Sequence, residues 1–252
     1  MSPVKAAPLD VPALAARFAA AGRAAGFRVE TYGECDGLPL LALTRRTPGP
    51  RPRIYLSAGI HGDEPAPPLT LLALLEAGAF DHRAHWFICP LLNPGGLARG
   101  TRENPGGLDL NRDYKAPRSP EIAAHVRWLQ RQPNFAVTLS VHEDWESKGY
   151  YLYELNPAGR PSLAEPILQA VAPACPIDHS PLIDGREARA GILRPVSDPL
   201  KRELWPESIY LRAHHATLTY TLESPSAFPL DQRIATHRRA LETAIALTIA
   251  PA

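Results

Sequence analysis

Residues 54 to 64 read Ile-Tyr-Leu-Ser-Ala-Gly-Ile-His-Gly-Asp-Glu, an apolar run that ends in a turn of small residues. The run predicts a buried strand over 53–59. The turn then delivers His61 and Glu64, two side chains that are costly to bury and lie three residues apart. Because ligands usually bind at strand ends in α/β sheets, this pair is a candidate part of a metal site, and the other parts must come from elsewhere in the chain.

The rest of the chain alternates β-prone and helical segments, which favours an α/β sheet over separate domains. Two helix starts carry capping signals: Ser119 precedes Pro120, and Asp231 is the expected cap of the last helix. The predicted strands cover 27–33, 38–44, 53–59, 85–92, 135–141, 150–154 and 217–222, and the predicted helices cover 11–26, 66–78, 120–130, 162–172 and 231–248.

Composition narrows the classes of function. The 252 residues carry a formal net charge of +1 with no basic block, so no nucleic-acid partner is expected. The N-terminus lacks the apolar core of a signal peptide, and no segment approaches the roughly 20 apolar residues that span a bilayer, so no membrane partner is expected. Three isolated cysteines show neither a disulfide framework nor thiolate zinc spacing, which fits a reducing, cytoplasmic compartment. The oligomeric state is open.

Two further strand ends carry ligand-type residues. The predicted strand 135–141 is followed by His142, and the predicted strand 217–222 is followed by Glu223. A His-x-x-Glu pair alone is common by chance, but a second strand-end histidine completes the three protein ligands that a catalytic zinc ion requires. We therefore predict a metal site at His61, Glu64 and His142.

A long segment without periodicity, 93–117, supports this prediction, because such loops in compact domains are usually functional. It contains Asn93-Pro-Gly-Gly, then Arg102, then Asp109-Leu-Asn-Arg. The order HxxE, NPxG, Arg, DxNR, lone His and late Glu resembles the M14 family of zinc metallocarboxypeptidases. The resemblance covers roughly residues 53 to 245, and its short spacings are similar to the compact bacterial branch that includes murein-peptide amidases.

This resemblance implies a zinc carboxypeptidase-like fold: one α/β catalytic domain over 1–252, with a mixed, mostly parallel sheet of about eight strands between helices. It implies His61, Glu64 and His142 as ligands of one Zn²⁺ ion. Glu223 is the implied general base, which takes a proton from the attacking water.

The loop residues have implied roles as well. Arg102 is the implied stabiliser of the oxyanion, where a fixed cation is most useful. Asn111 and Arg112 form the implied clamp on the terminal carboxylate of the substrate, a group that the planar fork of arginine binds well. Asp109 is the implied partner that orients His61, because a ligating histidine usually donates its other N–H to an oxygen. The implied enzyme is a cytoplasmic metallopeptidase that hydrolyses an amide bond beside a free terminal carboxylate of a peptide or peptide-like substrate.

Two rival functions are open. N-acyl amino acid deacylases of the succinylglutamate desuccinylase and aspartoacylase type share HxxE, DLNR and the late Glu. They differ after Asn-Pro, where this chain has Asn93-Pro-Gly-Gly, so the peptidase is preferred. A non-catalytic zinc- or peptide-binding module is the second rival, and the retained Glu223 argues against it.

Several residues are open in role. Arg99 competes with Arg102 for the oxyanion site, and Tyr210 is either a mobile active-site tyrosine or a core residue of a helix. Asp63 stands where some relatives have a substrate-binding arginine. Two groups are candidates for contacting a charged substrate: Arg186, Arg189 and Arg194 on the basic side, and Glu143, Asp144 and Glu146 on the acidic side.

Overall fold

An eight-stranded mixed sheet forms the centre of the computed structural model, which describes residues 8–250. The strands in chain order are β1 (Arg28–Cys35), β2 (Leu38–Arg45), β3 (Arg53–Ser57), β4 (His85–Cys89), β5 (Val137–Asp144), β6 (Tyr151–Leu155), β7 (Leu182–Ile183), β8 (Arg186–Glu187), β9 (Ile192–Leu193) and β10 (Thr219–Pro225). Their order in the sheet is β1-β2-β4-β3-β5-β10-β6-β9, while β7 and β8 form a separate hairpin. The predicted sheet is confirmed.

Helices cover both faces of this sheet. They are α1 (Val11–Ala24), α2 (Ala66–Glu76), α3 (Pro94–Arg99), α4 (Pro120–Leu129), α5 (Ala164–Val171), α6 (Glu207–His214) and α7 (Leu230–Ile249), with single 3-10 turns at Leu110–Arg112 and Pro199–Lys201. One core contains buried residues of α1, α2, α5 and α7, and a second contains those of α4 and α6. The two cores lie on opposite faces of the sheet. On β3, Ile54 and Leu56 face the first core and Tyr55 faces the second, because side chains alternate along a strand.

The middle of the sheet is parallel, which places its functional residues at one edge. Strands β4, β3, β5 and β10 pair in parallel, with Ser57 opposite Ser140 and Glu223 opposite His142. Since parallel strands end at the same edge, the turn after β3 and the ends of β5 and β10 lie together.

The structure corrects parts of the predicted pattern. The segment 93–117 is not structureless: Asn93 caps α3 by accepting the Gly96 N–H at 2.8 Å, and Gly100 ends the helix in a left-handed conformation. The cap predicted at Asp231 is wrong, because α7 begins after Pro229 without a side-chain cap. Helix α6 and the β7–β8 hairpin were not predicted as elements. None of the helices within residues 8–250 is long and apolar enough to cross a bilayer.

A candidate metal centre and its cavity

Three buried side chains meet at the parallel edge of the sheet. His61 and Glu64 lie in the turn after β3, and His142 lies near the end of β5. His61 Nδ1 is 2.5 Å from Glu64 Oε1, and His142 Nδ1 is 3.1 Å from Glu64 Oε2. One ligand-type atom from each residue lies within 4.8 Å of the other two. The fold therefore brings together the three residues that the sequence singles out.

This donor set fits a zinc ion. Two imidazole nitrogens and one carboxylate are a known catalytic set, which leaves a coordination position for water. Burial by itself raises the pKa of the Glu64 carboxyl, but His61 and His142 outweigh it and hold that pKa far below its usual range. Glu64 is therefore ionised at neutral pH, which is the form that binds a cation.

The glycines of the two loops allow these loops to touch. A Cβ on Gly62 would lie 1.9 Å from the carbonyl carbon of Gly96, so the turn that carries the ligands packs directly on the backbone of α3. The side-chain nitrogen of Asn93, Nδ2, also donates to the carbonyl oxygen of Ile60 at 3.2 Å. The Asn-Pro-Gly-Gly motif thus supports the His61–Glu64 turn.

Asp109 links His61 to Arg102. Its Oδ1 lies 3.2 Å from His61 Nε2, on the opposite side of the ring from Glu64. Its Oδ2 accepts from Arg102 Nη2 at 3.1 Å and from Nε at 3.3 Å. Burial alone raises the pKa of the Asp109 carboxyl, but His61 and the arginine reverse this and lower it. A charged Asp109 can therefore orient the imidazole and the guanidinium together.

Arg102 lies beside the cluster. Its Nη1 is 3.4 Å from His61 Nδ1 and 3.9 Å from Glu64 Oε1. Arg99, its competitor in the sequence, is exposed in the last turn of α3 and does not line the cavity described next. The geometry favours Arg102 for a role next to the metal.

The cluster opens into a cavity of about 510 Å³. Its lining contains the three predicted metal ligands, the predicted residues of the reaction and of the carboxylate clamp, and further residues that the sequence did not predict. The predicted members are His61, Glu64, Arg102, Asn111, Arg112, His142 and Glu223, and the unpredicted members include Tyr151, Tyr153, Arg202, Pro206 and Ser208.

Glu223 lies on β10 with its side chain partly buried in this cavity. It is the register partner of His142 in the parallel pair and of Tyr151 in the antiparallel pair. Burial raises the pKa of the Glu223 carboxyl; His142 opposes this rise, and Glu64 adds to it. A carboxyl with a raised pKa beside a metal site is suited to accepting and returning a proton.

Asn111 and Arg112 lie on the neighbouring wall, in the 3-10 turn Leu110–Arg112. The backbone N–H of Asn111 donates to Asp109 Oδ1 at 2.9 Å, and Arg112 Nη1 donates to the carbonyl of Asn111 at 2.8 Å. The Asp-Leu-Asn-Arg motif therefore folds into one tight turn that presents an amide and a guanidinium to the same cavity.

Tyr210 is a core residue of a helix. It is buried on α6, its ring centroid lies 4.6 Å from that of His214, and it does not line the cavity. Tyr151 and Tyr153 of β6 are the tyrosines of the cavity. Tyr151 donates its O–H to Asp144 at 3.0 Å. The closing-tyrosine role is therefore not supported for Tyr210.

The basic side of the cavity differs in part from the sequence candidates. Arg186 lines it, whereas Arg194 pairs with Glu154 at 2.5 Å and Glu165 at 2.8 Å away from the metal edge. Arg202 joins Arg186 and Arg112 on this side. Partial desolvation lowers the pKa of the exposed Arg202, and repulsion from those two arginines lowers it further. Two like charges thus act on Arg202 at this wall of the cavity, and Tyr153 and Asp184 oppose them.

The acidic candidates have mixed surroundings. Glu143 accepts the Ala66 N–H at 2.8 Å and pairs with Arg233 of α7, so its carboxylate is held by the protein. Asp144 accepts from Tyr151, and Glu146 is exposed at the rim. Asp63 lies in the ligand turn but does not line the cavity.

Solved structures share this architecture. A candidate metallopeptidase from Shewanella amazonensis superposes with a TM-score of 0.84 at 26% identity, covering 96% of this chain and 94% of that one. A metallo-carboxypeptidase from Burkholderia cenocepacia superposes with a TM-score of 0.72 at 21% identity, covering 95% of this chain and 69% of that one. The chain has a zinc carboxypeptidase-like fold. The fold that the sequence resemblance implies is therefore confirmed.

Sequence comparisons add two shorter similarities to this fold assignment. The family model "Succinylglutamate desuccinylase/Aspartoacylase catalytic domain" matches residues 50–134, the segment from β3 to the end of α4. Murein peptide amidase A of Escherichia coli is 37% identical over 71 residues, which span 28% of this chain and 29% of that protein. The resemblance to the compact bacterial branch is confirmed, and the aligned segment covers less than a third of the amidase.

Proposed function

We propose that this protein is a zinc-dependent hydrolase that cleaves the amide bond next to a free terminal carboxylate of a peptide or peptide-like substrate. One observation carries the proposal. A partly buried carboxyl group, Glu223, and two hydrogen-bond donors, the Asn111 carboxamide and the Arg112 guanidinium, face the same cavity as the His61–Glu64–His142 cluster. A metal-binding module alone has no use for this combination.

The protein's residues divide the reaction between them. A zinc ion held by the cluster would polarise the scissile carbonyl and lower the pKa of water. Glu223 takes a proton from the attacking water as its oxygen bonds to the carbonyl carbon. Arg102 stabilises the oxyanion that forms. When the C–N bond breaks, Glu223 passes its proton to the leaving amine nitrogen, so that the protons balance.

Asn111 and Arg112 set the position of the bond that is cut. A carboxylate offers two acceptor oxygens, which match the donors of a guanidinium and a carboxamide. Holding the terminal carboxylate on this wall places the preceding amide bond near the metal ligands. Positioning of this kind reduces the entropic part of the barrier.

A second candidate function is N-acyl amino acid deacylation, favoured by the family model over residues 50–134. That chemistry uses the same metal ligands and base, and it also leaves a free carboxylate next to the cleaved amide. The two functions differ in the acyl side, which is a peptide in one and a small acyl group in the other.

A panel of matched substrates separates the candidates. The zinc-loaded protein would be incubated with peptides bearing a free C-terminus, the same peptides amidated, and N-acyl amino acids, with products read by mass spectrometry. We expect release of the terminal residue from free-acid peptides only. Hydrolysis of N-acyl amino acids alone would favour the deacylase, and equal cleavage of free and amidated peptides would contradict the carboxylate clamp.

A further inference from the structure

Glu207, the first residue of α6, is a buried carboxylate that the proposed reaction does not use. It is 1% exposed and forms no ion pair within residues 8–250. Three hydroxyls donate to it instead: Ser57 at 2.6 Å, Tyr55 at 2.7 Å and Ser140 at 2.8 Å. Burial raises the pKa of Glu207, and these hydrogen bonds oppose the rise. Burying a carboxyl group with no cation beside it is costly, so its retention calls for a reason.

The three hydroxyls belong to β3, which leads into the turn of His61 and Glu64, and to β5, which contains His142. Tyr55 and Ser57 are on β3, and Ser57 is followed four residues later by His61. Ser140 is on β5, two residues before His142. The Glu207 side chain therefore connects the first turn of α6 to both of these strands at once.

A series of hydrogen bonds extends from the Glu207 carboxyl group through Tyr55 to His125 and Tyr114. Tyr55 donates its only hydroxyl proton to Glu207, so the contact of 2.9 Å between the Tyr55 oxygen and His125 Nε2 must have the histidine as donor. His125 Nδ1 is then the acceptor for the Tyr114 hydroxyl at 2.8 Å. Each of these side chains thus has a hydrogen-bond partner, and this holds the network in one arrangement.

On its other side Glu207 meets the proposed carboxylate clamp. Its backbone N–H donates to Asn111 Oδ1 at 2.9 Å. A backbone N–H can only donate, so the atom that faces it must be the amide oxygen, and Asn111 Nδ2 is on the opposite side. Asn111 lines the cavity, and its Nδ2 donates to no acceptor within the described part of the chain.

We infer that Glu207 is a positioning residue: by anchoring α6 to β3 and β5, it fixes the Asn111 carboxamide with its two N–H groups toward the substrate carboxylate. This inference rests on the proposed function. It explains how the site distinguishes an acid from an amide. A terminal carboxylate accepts from Nδ2, whereas the nitrogen of a terminal amide would meet Nδ2 donor to donor.

The test is the ratio of kcat/KM for a free-acid peptide over its C-terminal amide, measured for Glu207→Gln and for Asn111→Ala. Glu207→Gln keeps the size of the side chain but replaces one of the two oxygens that accept from the three hydroxyls with an NH2 donor. We expect the acid preference to fall on the order of five-fold, the worth of about one hydrogen bond, mainly through KM. In the Asn111→Ala background the same change should leave the ratio unaltered, because the positioned group is gone.

Glu154→Gln is the matched control. Glu154 is another buried glutamate, bound by the Tyr220 hydroxyl at 2.9 Å and by Arg194, and it has no contact with Asn111. We expect this variant to keep the wild-type acid preference. If Glu207→Gln does not fold, as judged by thermal melting, Ser140→Ala removes a single donor and takes its place in the same cycle.

The outcomes separate the inference from the function on which it rests. Equal cleavage of acid and amide by the wild type would contradict the clamp and this inference together. Acid preference in the wild type that is unchanged in a folded Glu207→Gln variant, or a Glu207→Gln effect that persists in full in the Asn111→Ala background, would overturn the positioning role alone.

Discussion

His61 has two different neighbours on its two ring nitrogens, and only one of these contacts follows from the motif alone. The HxxE spacing puts Glu64 near Nδ1, because three residues form one turn after the strand. The contact of Nε2 with Asp109 follows from the DxNR resemblance. The second bond of Asp109, to Arg102, depends on how α3 folds the loop, and no local pattern predicts it.

The central role of Glu223 gives the first prediction. Glu223→Gln keeps the shape of the side chain and its capacity for hydrogen bonds, but the amide does not accept a proton at neutral pH. We expect kcat to fall by about 10²- to 10⁴-fold, the usual contribution of a general base, while the bound zinc is unchanged. Steady-state kinetics and metal analysis of the same preparation check this. Turnover at the wild-type rate in a zinc-loaded variant would refute the assignment.

Asp109 gives the second prediction. Asp109→Asn removes the negative charge that holds His61 and Arg102, so we expect zinc affinity to fall by about 10- to 100-fold, as for other residues that orient metal ligands. Competition with a chromogenic chelator measures the affinity. Asp184→Asn is the control, since Asp184 accepts from Tyr153 at 2.6 Å and forms no bond with His61. Identical affinities in all three proteins would show that Asp109 has no part in metal binding.

At the scale of elements, the segments with a clear apolar period were predictable and those without one were not. Helix α6 has eight residues, as many as the predicted α5, but it buries the polar Glu207 together with Leu211, so its sequence shows no clear apolar period. The β7–β8 hairpin did carry a signal. Asp184-Gly185 both have positive φ, the Asp-Gly turn typical of two-residue hairpins. The strands around it, of two residues each, are too short for an alternating pattern.

This hairpin gives the third prediction. It places Arg186 on the cavity lining with Arg112 and Arg202, where a second negative charge on the substrate would offset the repulsion that Arg186 and Arg112 exert on Arg202. We expect Arg186→Ala to lower kcat/KM about ten-fold more for peptides that end in an acidic residue than for neutral ones. Arg189→Ala is the control, because Arg189 is exposed and does not line the cavity. An equal effect on acidic and neutral peptides would contradict this specificity.

At the scale of the whole molecule, the alternation of strand and helix and the meeting of His61, Glu64 and His142 at one edge of the sheet both followed from the sequence. The parallel order β4-β3-β5-β10 explains why, since residues far apart in the chain then meet at one edge. The network of buried polar side chains below that edge could not be predicted from the sequence. Tyr55, His125 and Glu207 are 70 to 152 residues apart in their pairings, and no single-sequence pattern joins them.

The network also gives a prediction on stability. Burial holds the pKa of His125 at about 3, below that of an unfolded histidine, so the neutral ring stabilises the fold above pH 6.5 and this contribution is lost as the pH falls toward 3. The wild type should therefore lose about 1.4 kcal/mol per pH unit below 6.5 relative to His125→Gln. Urea unfolding between pH 7 and 5 measures this difference. The exposed His82→Gln is the control, and a difference that does not change with pH would contradict the prediction.

The central claim is that His61, Glu64 and His142 together bind one zinc ion. Native mass spectrometry of the purified protein, with zinc added in slight excess and then removed by desalting, tests this most directly. We expect one zinc ion per chain in the wild type and none in His61→Ala or His142→Ala, with the exposed His179→Ala retaining the ion. A wild-type protein that holds no zinc, or His61→Ala and His142→Ala variants that keep one ion per chain, would contradict the claim.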